Sequence, residues 1–146
     1  MKQLFLLAMI SMALLSCSKP GNHCSSNQAS LAGKWRMIIV KENASGSTTT
    51  KPASIQGEVD ILFTSTSSTK GIFTGNTPTN EIFQSDFNIA PDQALTIPAV
   101  SMTKVAETSW GDEFVQNITV AQSYSFETDG KLNIHTVSKT LTFKKL

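Results

Sequence analysis

The chain has 146 residues, 12 Lys plus Arg against 11 Asp plus Glu, a formal net charge of +1 and 40% hydrophobic residues. That is the size of one ordinary domain with apolar material for a single core. The near-balance of charge excludes binding to nucleic acid or anionic lipid by electrostatics alone.

At the N-terminus, Met1-Lys2-Gln3 places a positive charge ahead of an apolar run from Leu4 to Leu15. The run is well short of the roughly 20 residues a membrane span needs and ends in small polar residues, which predicts a secretory signal over residues 1–16. Leu14-Leu15-Ser16-Cys17 then presents a cysteine where cleavage is due. The set resembles the signal peptide and lipobox of bacterial lipoproteins. That resemblance implies cleavage before Cys17, a diacylglyceryl thioether carrying palmitate-type chains on its sulfur, and acylation of the new amino group. Two or more chains would anchor stably, since one alone holds only marginally. Loss of Lys2 leaves 11 basic residues against 11 acidic ones, a neutral mature chain.

Residues 17–30 form the lipidated cysteine and a tether. Ser18 to Ser30 is rich in Ser, Asn, Gly and Pro with almost no apolar residue, too little to offset the entropy of ordering it. Such a coil would hold the domain roughly 20 Å from the bilayer. With Cys17 acylated, Cys24 has no intrachain partner, so no disulfide is expected to hold the fold. The absence of an acid directly after Cys17 is, by family habit, the sorting pattern of an outer membrane lipoprotein facing the periplasm.

Residues 31–146 read as one domain. In Gly33 to Lys41 the pattern puts Trp35, Met37 and Ile39 on one buried face of a first strand. Glu42 to Ala53 follows as a polar, mobile loop. Val59, Ile61 and Phe63 alternate along a second strand, and Gly71 to Gly75 completes a hairpin with it. Ile82 to Ile89 places Phe83, Phe87 and Ile89 on one face, and Leu95 to Ile97 and Val100 to Val105 read as two shorter strands near Pro98. Ser109-Trp110-Gly111-Asp112 resembles a capping box for the one expected helix, with Trp110, Phe114, Ile118 and Ala121 at helical spacing. Tyr124, Phe126 and Thr128 alternate into Asp129-Gly130, a strong hairpin signal, and Leu132, Ile134 and Thr136 alternate out of it. Leu141 and Phe143 end the chain in a last strand. The expected fold is mainly β (α+β): about eight short antiparallel strands in a bent sheet or partly closed barrel with one helix.

The order of several features resembles the META domain, a family that includes heat-shock-type bacterial envelope lipoproteins. They are the early Trp35, the strand ending in Phe63, and the turn Gly75-Asn76-Thr77-Pro78-Thr79-Asn80 after Gly71-Ile72-Phe73-Thr74. Next come Leu95-Thr96-Ile97, Ser101-Met102-Thr103-Lys104, Glu113-Phe114 and Tyr124-Ser125-Phe126. Gly130-Lys131-Leu132-Asn133-Ile134 and Leu141-Thr142-Phe143 complete the set. The resemblance implies a small envelope-associated β domain linked to stress or antibiotic tolerance, without enzymatic activity. Many members carry a Gly-Cys-Asn turn and a second cysteine after the Thr-rich strand; here Asn76 follows Gly75 and Val105-Ala106 follows Lys104. Gly33-Lys34-Trp35 also mimics the Gly-x-Trp that opens a lipocalin-like barrel, a competing reading in which the barrel holds a small apolar ligand.

Reactive chemistry is sparse. His23 in the tether and His135 in a strand do not make a zinc ligand set, so neither a metal nor another cofactor is expected. His135 is expected to face solvent or a groove. Glu58 and Asp60, roughly 7 Å apart on one strand face, have a spacing compatible with paired acids but read as surface carboxylates. Asp112-Glu113 suits the first turn of a helix. No catalytic residue is assigned. The one site residue is Cys17 for lipidation, the membrane is contacted through that anchor, and an envelope protein is a candidate partner.

Overall fold

The computed structural model describes residues 30–146. The predicted signal peptide, Cys17, His23 and Cys24 lie outside the described residues. The strands are β1 (Gly33–Glu42), β2 (Thr48–Thr49), β3 (Asp60–Ser65), β4 (Lys70–Asn76) and β5 (Glu81–Ala90), followed by β6 (Ala94–Thr96), β7 (Ser123–Phe126), β8 (Leu132–His135) and β9 (Lys139–Lys145). One helix, α1 (Ser109–Ile118), lies between β6 and β7. All pairings between strands are antiparallel, and β1 pairs with both β3 and β9, so eight strands close into a barrel. The two-residue β2 is an extra strand on β1, within a segment the sequence reads as loop. That segment is also tied down by Lys51, whose Nζ donates to the carbonyls of Ile55 and Gly57 at 3.1 and 2.9 Å.

Period-two alternation sends Trp35, Met37, Ile61, Phe63, Phe73, Phe87, Leu132, Ile134, Leu141 and Phe143 into one core. Phe63 meets Phe87 edge-on, with ring centroids 5.2 Å apart, and Phe73 on a tilt at 5.6 Å. Each fully buried side chain of this kind stabilises the fold by about 1.5–3 kcal/mol. The interior is therefore filled with aromatic rings.

Two bulges break the alternation. In β1, Met37 opposes Phe143 while Ile39 opposes Thr142, so the phase slips by one residue and Val40, not Ile39, turns inward. In β5, Phe73 opposes Ser85 while Gly75 opposes Ile82, leaving Phe83 and Gln84 across from Thr74. The extra residue puts Ile82 inside and leaves Phe83 47% exposed, correcting its expected place in the core. Gly75 is required at this bulge by close approach: a Cβ there would lie 2.0 Å from the Asp60 carbonyl oxygen.

Val100 to Val105 does not form the expected strand. It lies along β5, with Phe83 N donating to the Ser101 carbonyl at 2.8 Å and Thr103 N to the Glu81 carbonyl at 3.0 Å. It makes one bridge there, Ile82 with Met102, because side chains take the neighbouring backbone groups: Ser85 Oγ accepts from Ser101 N at 2.9 Å, and Asn80 holds Val105. The buried Asn80 side chain accepts from Thr103 Oγ1 at 3.0 Å and Val105 N at 2.8 Å. It donates to the Val105 carbonyl at 3.0 Å and to Glu107 Oε2 at 2.9 Å. Glu107 Oε2 also accepts from the Thr77 hydroxyl, and its Oε1 accepts from Thr79 Oγ1 and Thr108 N, each at 2.8 Å. This clasp fixes the start of α1, whose N-cap is Thr108, accepting from Gly111 N at 3.2 Å, instead of the expected Ser109. Gly111 is there because Glu107 passes over it: a Cβ would lie 2.2 Å from Glu107 Cδ. Trp110, Phe114 and Ile118 are buried, and Phe114 meets Phe143 edge-on at 6.4 Å. The helix closes the barrel end formed by the close of β1 and the start of β9, where Lys139 Nζ reaches Glu113 at 2.7 Å and Glu42 at 3.0 Å.

Candidate functional site

The opposite end of the barrel is open. β6 and β7 pair at a single position, Ala94 with Ser123, whereas β7 pairs with β8 over four. Above that point the three-residue turn Pro91–Gln93 faces the end of β7 across the mouth. The gap forms a cavity of about 1120 Å³ at the mouth. Its walls come from the segment before β1 (Ser30, Leu31), the β3–β4 turn (Ser65, Ser67, Ser68), the β5–β6 turn (Ile89 to Gln93) and the end of β7 (Tyr124, Ser125, Phe126).

Local sequence explains each wall. Alternation turns Tyr124 and Phe126 toward the core side, where Phe126 packs on Trp35 at 5.9 Å and Tyr124 meets Phe126 edge-on at 5.8 Å. Burial pushes the Tyr124 phenol above its ordinary value, and its hydroxyl has no hydrogen-bond partner among the described residues. In the β5–β6 turn, Asp92 and Gln93 both adopt left-handed backbone, with φ of 66° and 62°. Non-glycine residues held there cost roughly 1 kcal/mol or more each, strain that tends to collect at binding sites. Among the described residues lining the mouth there is no Lys, Arg or His, and Asp92 is the single ionisable acid.

The sequence-derived acids are neutralised instead of brought together for chemistry. Asp60 takes a two-pronged contact from Arg36, Nε to Oδ1 at 2.7 Å and Nη2 to Oδ2 at 2.8 Å, while Glu58 pairs with Lys51 at 3.0 Å. His135 lies half-buried on the outer wall of β8, and burial pushes its pKa below the usual imidazole value.

Its partners fix its tautomer. Asn43 Nδ2 donates to the Thr136 and Val137 carbonyls at 3.1 and 3.3 Å, so Asn43 Oδ1 accepts from the Thr140 hydroxyl at 2.9 Å. Thr140 Oγ1 then accepts from His135 Nδ1–H at 3.2 Å, leaving Nε2 to accept from the Ser125 hydroxyl at 2.8 Å. The serine–imidazole pair ends on Thr140 and Asn43 where a catalytic triad places a carboxylate. Alternation puts His135 on the outer face, but register sets it opposite Ser123 and the contact with Ser125 is a diagonal one across β7 and β8, which could not be read from the sequence.

A second concavity of about 830 Å³ lies on the outer wall at the β5 bulge, where Leu62 (43% exposed) and Phe83 sit near Lys34 and Glu81. Among the described residues no helix is long and apolar enough to cross a membrane, and no group of three or more His, Cys, Asp or Glu could hold a metal ion.

No family model and no curated protein matches the chain. Among solved structures, the NMR structure of a protein from Burkholderia xenovorans is similar with a TM-score of 0.57. It is 18% identical and aligns over 78% of this chain and 81% of its own. At that identity the likeness shows a shared fold, an antiparallel barrel with one helix, and nothing further.

Proposed function

We propose that this chain is a lipid-anchored cell-envelope protein whose barrel works by binding, with the open mouth as its recognition site. The observation that carries the reading is the mouth cavity itself: it lies between the β3–β4 turn, the β5–β6 turn and the end of β7, is lined by Tyr124 and the strained pair Asp92–Gln93, and is flanked by Ser30. Ser30 adjoins the tether that would lead back to an acylated Cys17. The anchor would hold the mouth near the outer membrane on its periplasmic side. Because Trp35, Phe63, Phe73 and Phe87 fill the interior, a ligand would sit at the rim and not in a deep calyx of the lipocalin kind.

Two experiments test this. Blocking lipoprotein signal peptidase with globomycin is expected to accumulate an uncleaved precursor that keeps residues 1–16, and mass analysis of the untreated mature chain is expected to show acyl groups on Cys17; a matured chain with an unmodified sulfur would count against the anchor. Native mass spectrometry of the protein isolated from cell extract is expected to retain a small molecule, and a Gln93→Trp change at the rim is expected to abolish that retention. A bare protein under conditions that preserve other complexes would remove the binding reading.

A META-like role through protein contact is the second reading. It is favoured by the exposed apolar pair Leu62 and Phe83 on the outer wall. A Phe83→Ser change that leaves the mouth intact but abolishes co-purification of an envelope protein would favour it.

A further inference from the structure

We propose that the mouth takes a short neutral oligosaccharide of gluco configuration, two or three rings long. This rests on the reading of the mouth as a binding site and adds the class of ligand. The chemistry of the walls carries it. Two aromatic rings, Tyr124 and Phe126, stand beside a polar rim of Asp92, Gln93 and the serines of the β3–β4 turn. A sugar whose hydroxyls are all equatorial presents the complementary pair of surfaces: an apolar C–H face to lie on an aromatic ring, and an edge of hydroxyls that donate and accept. The Asp92 carboxylate accepts from hydroxyls, the Gln93 carboxamide does both, and the Tyr124 hydroxyl is free to pair with either partner.

Other ligand classes fit less well. A fatty acid, a phosphorylated lipid or an acidic sugar would bring a negative charge to a mouth whose described lining has no cation and one carboxylate. A wholly apolar ligand would need the dry interior that Trp35, Phe63 and Phe87 already occupy, and would leave the rim's hydroxyl and amide groups unpaired. The cavity of about 1120 Å³ is ample for a di- or trisaccharide. Holding Asp92 and Gln93 in left-handed backbone at this edge is the kind of strain that fixes ligand-contacting groups before binding.

The full chain, purified from membranes in a detergent without a sugar head group, would be titrated by calorimetry with cellotriose, maltotriose and chitotriose. The neutral dye Nile red would serve as an apolar probe. At least one trisaccharide is expected to bind saturably with a dissociation constant below about 1 mM, or about −4 kcal/mol. Asp92→Gly and Gln93→Gly, which keep the backbone reachable, and Tyr124→Leu are each expected to weaken it tenfold or more. Sugar binding that the glycine variants do not change would overturn the assignment to this mouth. Nile red bound in a manner sensitive to Tyr124→Leu, with none of the three sugars bound, would overturn the carbohydrate class while leaving the binding site. Neither probe binding would overturn both.

Discussion

Replacing Glu107 by Gln tests the clasp that organises the closed end of the barrel. Glu107 Oε2 faces Asn80 Nδ2, a donor, and Oε1 faces Thr108 N, also a donor. A carboxamide must present its own NH₂ to one of them, so one contact turns from attraction into two donors face to face. The loss of a charge-assisted bond with a donor left unmet costs about 2–3 kcal/mol, which lowers the melting temperature by roughly 10 °C for a domain of this size.

The acid dependence supplies a second readout. Burial works to raise the Glu107 pKa, but bonds from Thr77, Asn80, Thr108 N and Thr79 outweigh it and leave the carboxyl below its ordinary value. A group depressed in this way stabilises the fold above its unfolded pKa, about 4.3, and that contribution disappears as pH falls through the folded pKa. Urea denaturation of wild type and Glu107→Gln is therefore expected to give a gap that is full at pH 7 and narrows below about pH 4. A gap under about 0.5 kcal/mol at pH 7, the range of ordinary surface changes, would refute the clasp.

Further outcomes follow from the packing. Gly75→Ala forces a Cβ onto the Asp60 carbonyl oxygen at the β5 bulge and is expected to cost about 3 kcal/mol or more, measured by thermal unfolding. Phe83→Ser is expected to change stability by less than about 0.5 kcal/mol, whereas Phe87→Ala, four residues on but inside the barrel, should cost about 3–5 kcal/mol. Equal effects would mean the bulge does not reverse the strand's facing. His135, whose pKa burial lowers, binds protons more weakly folded than unfolded, so its contribution is present above the unfolded pKa of about 6.5 and is lost as pH falls below that. His135→Gln should flatten the stability profile between about pH 7 and pH 5, seen by denaturant titration at each pH.

The barrel and its helix were legible from alternation and helical spacing: Val59-Ile61-Phe63, Leu132-Ile134 and Trp110-Phe114-Ile118 all face as their periods require. Phe83 and Ile39 were misplaced because a bulge shifts phase without changing composition, and a period-two reading has no local sign of where the extra residue falls. Val100 to Val105 reads as a short strand, but hydrogen bonds from Asn80, twenty residues or more away in sequence, take up its polar groups. The helix start was off by one, since Ser109 and Thr108 are both capping types and the Glu107 clasp selects Thr108. At the mouth, Tyr124 and Phe126 were visible as strand residues, but the gap beside them is bounded by the β3–β4 and β5–β6 turns. Which turns meet there depends on the register of strands distant in sequence.

The longest ladder in the molecule joins the first strand to the last: β1 residues 35–42 lie against β9 residues 139–145. Sequence separation of that size makes ring closure a late and slow event, because the loop entropy of nearly the whole domain is spent before the contact is made. A ribosome or translocon delivering the chain from its N-terminus would hold β1 with one side unsatisfied until β9 emerges. Shortening the C-terminus by that strand would leave the edges of both β1 and β8 bare, turning a ring without ends into an open sheet able to recruit another.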